Sequence, residues 1–171
     1  MGLLRGRSDS GWAKYRMREK MFAIGDDYWI ENDAGEKIFK VNGKALRVRD
    51  TFVIENPSGE ELFKVQEKKL HLRDTMDIEV DGRTVARVKK ALITPLRDRF
   101  SIDVEGGEDM EAKGNMVDHE YKIERAGQKV AEVSKRWFRI RDTYGIEIAP
   151  EQDEALILSV TVCIDQMTTR G

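Results

Sequence analysis

A short pattern, R-D-T-x-x-I-E, occurs three times in this chain of 171 residues. Its copies begin at Arg49, Arg73 and Arg141, and a weaker copy begins at Arg97. The aspartates of the copies at Arg49, Arg73 and Arg97 follow one another at intervals of 24 residues. A period of roughly 20–50 residues is the mark of a repeat architecture. The pattern therefore constrains the whole fold more than any single residue does.

The period extends to six units, which start at positions 26, 50, 74, 98, 119 and 142. The second half of each unit repeats as well, and residues 36–41 match residues 60–65. Turn-forming residues such as Asp81-Gly82 and Ala126-Gly127 lie between the halves, and the flanking residues alternate between apolar and polar. This combination predicts β-hairpins. We expect six hairpins of about ten residues per arm, which give up to twelve strands.

Two other repeat architectures have similar periods. A leucine-rich repeat requires a ladder of leucines and asparagines that this sequence lacks. A propeller blade requires four strands and roughly 40 residues, which is longer than the period here. A closed antiparallel barrel fits better, because closure removes exposed strand edges.

The segment 153–167 breaks the repeat with a nearly continuous apolar run. Val160-Thr161-Val162 favours a strand, whereas the length of the run and its lack of alternation favour a helix. Pro150 and the acidic residues that follow it suit a helix N-terminus. A helix that is apolar on every side must be buried, and the run from 156 to 164 is far shorter than the roughly 20 residues that span a bilayer. We predict a helix near 153–167 inside the barrel.

The length of 171 residues predicts one domain. Together with the repeats, this places a mainly β domain at residues 20–171, with residues 1–19 as an extension or a strap across the barrel end. Lys and Arg total 30 against 32 Asp and Glu, which gives no sign of a nucleic-acid partner. Cys163 is the only cysteine, so an intramolecular disulfide and a Cys-based metal site are excluded. We expect a cytoplasmic protein, peripheral to the membrane at most, with neither a signal peptide nor a transmembrane segment.

The sequence of the repeats resembles the LURP-one-related family, within the Tubby C-terminal-like and phospholipid scramblase-like superfamily. The matching residues, spread over about 20–168, are Tyr28-Trp29-Ile30-Glu31, residues 36–41, the R-D-T copies, residues 153–158 and Asp165-Gln166. The resemblance implies a twelve-stranded barrel around a central C-terminal helix. It also implies kinship with phosphoinositide-binding Tubby proteins and with scramblases. No scramblase-like calcium motif maps onto this chain, and its apolar run is too short for a membrane-inserted helix.

Candidates for catalysis are weak. The R-D-T triplets recur too regularly for an active site, and their Asp and Thr suit hydrogen bonds at the start of a strand. His71 and His119 have no cysteine near them, so we expect neither a zinc site nor joint catalysis. Cys163 lies within the apolar run, which predicts a buried structural residue. The acids between Asp103 and Glu111 are interpreted as solvated loop charge, with divalent-cation binding as the alternative. No cofactor is expected.

Basic clusters are the main functional signal in the sequence. Those that we select as candidate contacts for anionic lipid are Lys68, Lys69, Arg73, Lys89, Lys90, Lys135 and Arg136. The competing interpretation is that they are solvated outer strand positions balanced by acids. The sequence thus favours a non-enzymatic Tubby-like scaffold or binding protein that contacts anionic phospholipid headgroups, such as phosphoinositides, or a protein partner. The alternative is an enzyme or lipid-transfer protein with a pocket at one end of the barrel.

Overall fold

A computed structural model describes residues 11–18, 28–42, 52–67, 75–91, 98–137 and 143–169. Within these ranges, twelve antiparallel strands close into a barrel around one helix, as the repeat predicted. The strands are β1 (Ala13–Arg18), β2 (Tyr28–Asn32), β3 (Lys37–Asn42), β4 (Phe52–Glu55), β5 (Glu61–Glu67), β6 (Thr75–Val80), β7 (Arg83–Lys90), β8 (Asp98–Val104), β9 (Met110–Asn115), β10 (Glu120–Arg125), β11 (Gln128–Ser134) and β12 (Thr143–Ile148). The helix is α1 (Glu154–Thr169).

The barrel closes where β1 pairs with β12 over six residue pairs, from Ala13 opposite Ile148 to Arg18 opposite Thr143. Three expectations are corrected here. Residues 13–18 form a wall strand, and not part of an extension or strap. The sixth repeat contributes only β12, because the helix follows in place of a second arm, so β1 supplies the twelfth strand. The strands also have four to eight residues, and not the ten expected of each arm.

An isoleucine occupies the same position in all six even-numbered strands and faces the interior with no exposed area. These residues are Ile30, Ile54, Ile78, Ile102, Ile123 and Ile146. In four of the strands the pairing register shifts between this isoleucine and the following glutamate, as at Ile30/Glu31 and Ile78/Glu79. A bulge bends the strand and increases its twist, which a closed barrel requires. The I-E dipeptide of the repeat therefore marks both the core and the bend.

The turns inside the hairpins also repeat. The side-chain oxygen of Asn32 accepts hydrogen bonds from the backbone N–H groups of Ala34 and Glu36, at 3.0 and 2.9 Å. Asn56 makes the same contacts 24 positions later. The Asp81-Gly82 turn has positive φ angles of 51° and 78° at its two residues. Two successive residues with positive φ suit the two-residue hairpin turn that Asp-Gly predicted.

The helix α1 fills the barrel interior, as predicted, and extends two residues beyond the predicted segment. Asp153 caps it by accepting the Leu156 N–H at 3.1 Å. Polar residues within the helix bond to its own backbone: the hydroxyls of Ser159 and Thr161 donate to carbonyls four residues earlier, at 2.7 and 2.9 Å. These bonds satisfy the hydroxyls in a dry environment, so the helix remains compatible with an apolar core.

The two ends of the barrel differ in their connections. At one end the links are short: residues 33–36, 56–60, 81–82, 105–109 and 126–127 join neighbouring strands, and residues 149–153 lead into α1. All the other connections between consecutive strands join them at the opposite end. The helix starts at the short-link end. Its 16 residues extend about 24 Å, so its C-terminus lies toward the other end.

Candidate functional site

The short-link end is strongly acidic, and we call it the acidic end. Its links contain nine acidic residues and no Lys or Arg. The acids are Asp33, Glu36, Glu60, Asp81, Glu105, Glu108, Asp109, Glu151 and Asp153. Several have structural roles there: Asp109 accepts the Val104 N–H at 2.9 Å, and Asp153 caps the helix. The described residues contain no group of acids, histidines and cysteines arranged to hold a metal ion.

The connections at the opposite end are rich in Lys and Arg in the sequence, and we call it the basic end. In the sequence, the segments that join strands there contain twelve Lys and Arg against seven Asp and Glu. Most of these segments lie outside the described residues, so their charged residues are counted from the sequence between one strand and the next. In the sequence, the links of the two ends therefore differ in charge, although the whole chain has a net charge of only −2. Such a difference orients a protein toward a surface of opposite charge.

The described members of the predicted basic set lie toward this end. Lys89 and Lys90 are the last residues of β7, and Lys135 and Arg136 follow β11 directly. Lys89 forms an ion pair with Asp103 at 2.6 Å, whereas Lys90 has no ion pair within the described ranges. The Arg136 side chain is 85% exposed and only approaches Glu120, at 4.0 Å. Because β7 and β11 are four strands apart, these residues share an end and not one patch. Lys68, Lys69 and Arg73 lie outside the described residues.

The outer wall between the ends is largely balanced. Lys14 pairs with Glu147 at 3.6 Å, and Arg87 pairs with the buried carboxylate of Asp77 at 2.6 Å. An open groove of about 410 Å³ lies along β8 to β10, and its charges contact one another, as in the pair of Arg99 with Glu111 at 2.8 Å. Such pairs on opposite strands support the sheet. The wall therefore offers little unbalanced charge to a partner.

A cleft of about 330 Å³ interrupts this wall between β1 and β2. The two strands pair only at Tyr15 with Asn32 and at Arg16 with Glu31. Beyond those pairs the strands separate. The residues that line the cleft are Arg16, Met17, Arg18, Tyr28, Trp29, Glu31, Lys37 and Thr143. The hydroxyl of Tyr28 bridges the gap by donating to the Met17 sulfur at 3.4 Å, and burial raises the pKa of this phenol.

A buried polar cluster lies near the C-terminal part of α1. His119 stacks on Tyr144 with ring centroids 4.1 Å apart, and its Nε2 is 3.6 Å from a carboxylate oxygen of Asp165. Tyr121 is also close: burial raises the pKa of its phenol, and the Asp165 charge adds to the rise. His119 has a positive φ of 51° and closes the tight β9–β10 turn. These contacts anchor the turn to the helix. His71, the second histidine, lies outside the described residues.

Other sequence candidates have structural roles. Cys163 is free and fully buried on α1, as predicted, and burial raises the pKa of its thiol. Thr75 and Thr143, from two of the R-D-T copies, are the first residues of β6 and β12. Arg49-Asp50-Thr51, Arg73-Asp74 and Arg141-Asp142 lie outside the described residues. Within the described residues, no helix has the length and apolar character needed to cross a bilayer.

Sequence reasoning missed the cleft and the polarity of the two ends. Lys37 and Arg18 come together only because β1, β2 and β3 are neighbours in the barrel. One signal was present: Lys14, Arg16 and Arg18 alternate with Ala13, Tyr15 and Met17, which is the pattern of a half-buried strand. This alternation predicts a strand with basic residues on its outer face, and pairing of that strand with β2 places them next to Trp29 and Glu31.

Comparison with known proteins agrees with this architecture. The model of the family described as LURP-one-related matches residues 13–165. Among solved structures, the X-ray structure of a protein from Arabidopsis thaliana superposes with a TM-score of 0.67. The match covers 91% of this chain and 90% of that chain, at 16% sequence identity. That degree of identity is informative about the fold alone. No curated protein matches the chain.

Proposed function

Because this chain belongs to the LURP-one-related family, with its Tubby-like barrel, we propose that it is a non-enzymatic protein that binds anionic phospholipid headgroups, such as phosphoinositides, through its basic end. The observation that supports this most is the charge polarity of the barrel. The links at one end contain nine acids and no Lys or Arg, and the segments that join strands at the opposite end are rich in Lys and Arg in the sequence. An anionic membrane attracts one end and repels the other, which fixes a single orientation.

The contacts we assign to the membrane are Lys68, Lys69, Arg73, Lys90, Lys135 and Arg136, with Lys89 as a weaker member. Lys90 and Arg136 support this assignment best, since Lys90 has no ion pair in the described ranges and Arg136 is 85% exposed. Lys89 contributes less because Asp103 already neutralises it at 2.6 Å. Anionic lipids are concentrated on the cytoplasmic leaflet, so we propose a cytoplasmic location at that surface.

An enzyme or lipid-transfer protein has less support. The helix α1 fills the interior space that a lipocalin-like barrel would use for an acyl chain. The pair of His119 with Asp165 is buried and fixed by stacking on Tyr144. A general base needs contact with its substrate, which that position does not offer.

Sedimentation with anionic vesicles tests the proposal. Binding should weaken between about 0.1 M and about 1 M salt, where the Debye length falls from roughly 10 Å to 3 Å. The variant Lys135→Gln/Arg136→Gln should bind about tenfold to thirtyfold more weakly, because each basic residue near an anionic surface contributes about 1 kcal/mol. The control Arg83→Gln/Lys129→Gln removes the same charge near the acidic end and should bind like the wild type. No binding at either salt concentration, or equal losses in both variants, contradicts the proposal.

A further inference from the structure

The described lining of the cleft between β1 and β2 contains more cations than its one carboxylate balances. Arg16 is paired with Glu31 at 3.4 Å. Arg18 is exposed, and no carboxylate of the described residues lies within ion-pair distance of it. Lys37 likewise has no ion pair there, and its ammonium lies 5.4 Å from the ring centroid of Trp29. Among the described residues that line the cleft, three cations and one carboxylate leave a net charge of about +2 in a volume of about 330 Å³.

The separation of the strands makes this cleft a fixed feature of the barrel. Along one edge, β1 pairs with β12 at all six of its residues, so the position of β1 is fixed. Along its other edge, the pairing with β2 stops at Arg16. The floor is closed by Met17, which has no exposed area, and by Tyr28, which is 8% exposed. Within the described residues, the cleft is therefore a polar recess whose floor consists of two side chains of the core.

From this geometry we propose that the cleft binds a phosphomonoester group. Such a group carries about −1.5 to −2 charges at neutral pH, which complements the net charge of the lining. Arg18 offers a planar fork of donors that suits phosphate oxygens, and Lys37 supplies a point charge on the other side. The indole of Trp29 provides an apolar wall for the body of the ligand. Arg16 remains held by Glu31 and orients the recess.

The same chemistry has two sources, a soluble phosphorylated metabolite or a lipid with a phosphomonoester headgroup such as phosphatidic acid. This site is distinct from the membrane contact proposed above, because its residues belong to β1, β2 and β3 and not to the ends of β7 and β11. The recess is a discrete pocket with a defined charge, whereas the basic end is a surface. The two proposals therefore make different predictions for small soluble phosphates.

The experiment uses the full chain and isothermal titration with glycerol 3-phosphate, and in parallel sedimentation with vesicles that contain either phosphatidic acid or phosphatidylserine. The test variant is Arg18→Gln/Lys37→Gln. The matched control is Arg99→Gln/Lys113→Gln, which also removes one Arg and one Lys, from β8 and β9 on the far side of the ring. Circular dichroism verifies that both variants keep the fold.

We expect glycerol 3-phosphate, or the phosphatidic acid vesicles, to bind the wild type and to lose at least about tenfold in affinity in the test variant, because two charge-assisted contacts are removed. The control should stay within about twofold, since it lacks contact with the cleft. Binding of glycerol 3-phosphate shows that a soluble phosphorylated metabolite can occupy the cleft without a membrane. Binding of phosphatidic acid vesicles alone, with the same sensitivity to Arg18→Gln/Lys37→Gln, identifies a lipid source.

The proposal is overturned if neither probe binds, or if the test and control variants lose affinity equally. Its failure is separable from failure of the membrane proposal. Vesicle binding that depends on Lys135 and Arg136 but not on Arg18 and Lys37 removes the cleft site and keeps the basic end. Binding of glycerol 3-phosphate with no vesicle binding at low salt keeps the cleft site and removes the membrane contact of the basic end.

Discussion

The hydroxyl of Tyr15 donates a hydrogen bond of 2.6 Å to a carboxylate oxygen of Glu154, which lies 139 positions later in the chain. This bond joins β1 to the first turn of α1. Since β1 also pairs with β12, the strand that closes the barrel is fixed both by the sheet and by the helix inside it. The ring of Tyr15 packs near Phe39 of β3, with centroids 6.0 Å apart, so this contact also supports the seam beside the cleft.

Removing this hydroxyl should lower stability without unfolding the chain. We expect Tyr15→Phe to reduce the free energy of unfolding by about 1.5–3 kcal/mol, the range for hydrogen bonds to charged groups. Urea denaturation followed by circular dichroism measures the change. A double-mutant cycle with Glu154→Gln isolates the pair, and the two changes should not be additive. Full additivity would mean that the two side chains act independently and that the bond does not hold β1.

The close approach of β9 and β10 at Gly114 leads to a second prediction. A Cβ atom at this position would lie 2.6 Å from the Glu120 carbonyl oxygen and 2.7 Å from the Tyr121 Cα, and φ is 142°. Backbone atoms cannot move aside cheaply, so Gly114→Ala should cost about 3 kcal/mol in thermal or urea unfolding. Gly59→Ala is the control, because φ there is also positive, 87°, but the space is open. It should cost only about 1 kcal/mol.

Cys163 provides a third prediction, which concerns reactivity. Burial raises the pKa of its thiol, and the charge of Asp77 adds to the rise. The reactive thiolate is therefore scarce in the folded protein, even as the pH approaches about 9. An aromatic disulfide reagent should leave the native protein unmodified and should titrate one thiol in concentrated urea. Rapid modification of the native protein would place the thiol at an accessible surface and would contradict its buried position on α1.

Much of the barrel was predictable because the residues that repeat in the sequence are those that form the core and the bulges of the strands. Each unit places an isoleucine in the core, as at Ile54 and Ile78, and most follow it with a glutamate, so the period survives in the sequence. The first strand was not predictable in this way. Ala13–Arg18 stands outside the 24-residue register, and its pairing partner β12 lies at the other end of the chain. Its basic outer face suggested a surface segment instead.

The candidate sites were less accessible to sequence reasoning because they depend on strand direction and on neighbours in space. Lys89 and Lys135 are easy to find as basic residues, but only the alternation of strands shows that β7 and β11 end on the same side. Whether a lysine has a partner is likewise a property of the register. Lys89 meets Asp103 on β8, whereas Lys90 meets no carboxylate of the described residues.

The buried position of the helix leads to the last prediction. Leu158 has no exposed area and lies in the middle of α1, surrounded by the inward-facing residues of the strands. An aspartate at this position would place a charge where neither water nor a cation can solvate it. We expect Leu158→Asp to cost more than about 4 kcal/mol, a large part of the stability of an ordinary domain, and therefore to abolish the folded state. Val117→Asp is the control, since Val117 is 68% exposed in the β9–β10 turn and replacing this aliphatic side chain by aspartate should leave the unfolding midpoint nearly unchanged. Circular dichroism and size-exclusion chromatography of the two variants measure the difference. A folded, monodisperse Leu158→Asp protein would show that the helix does not form the core of the barrel.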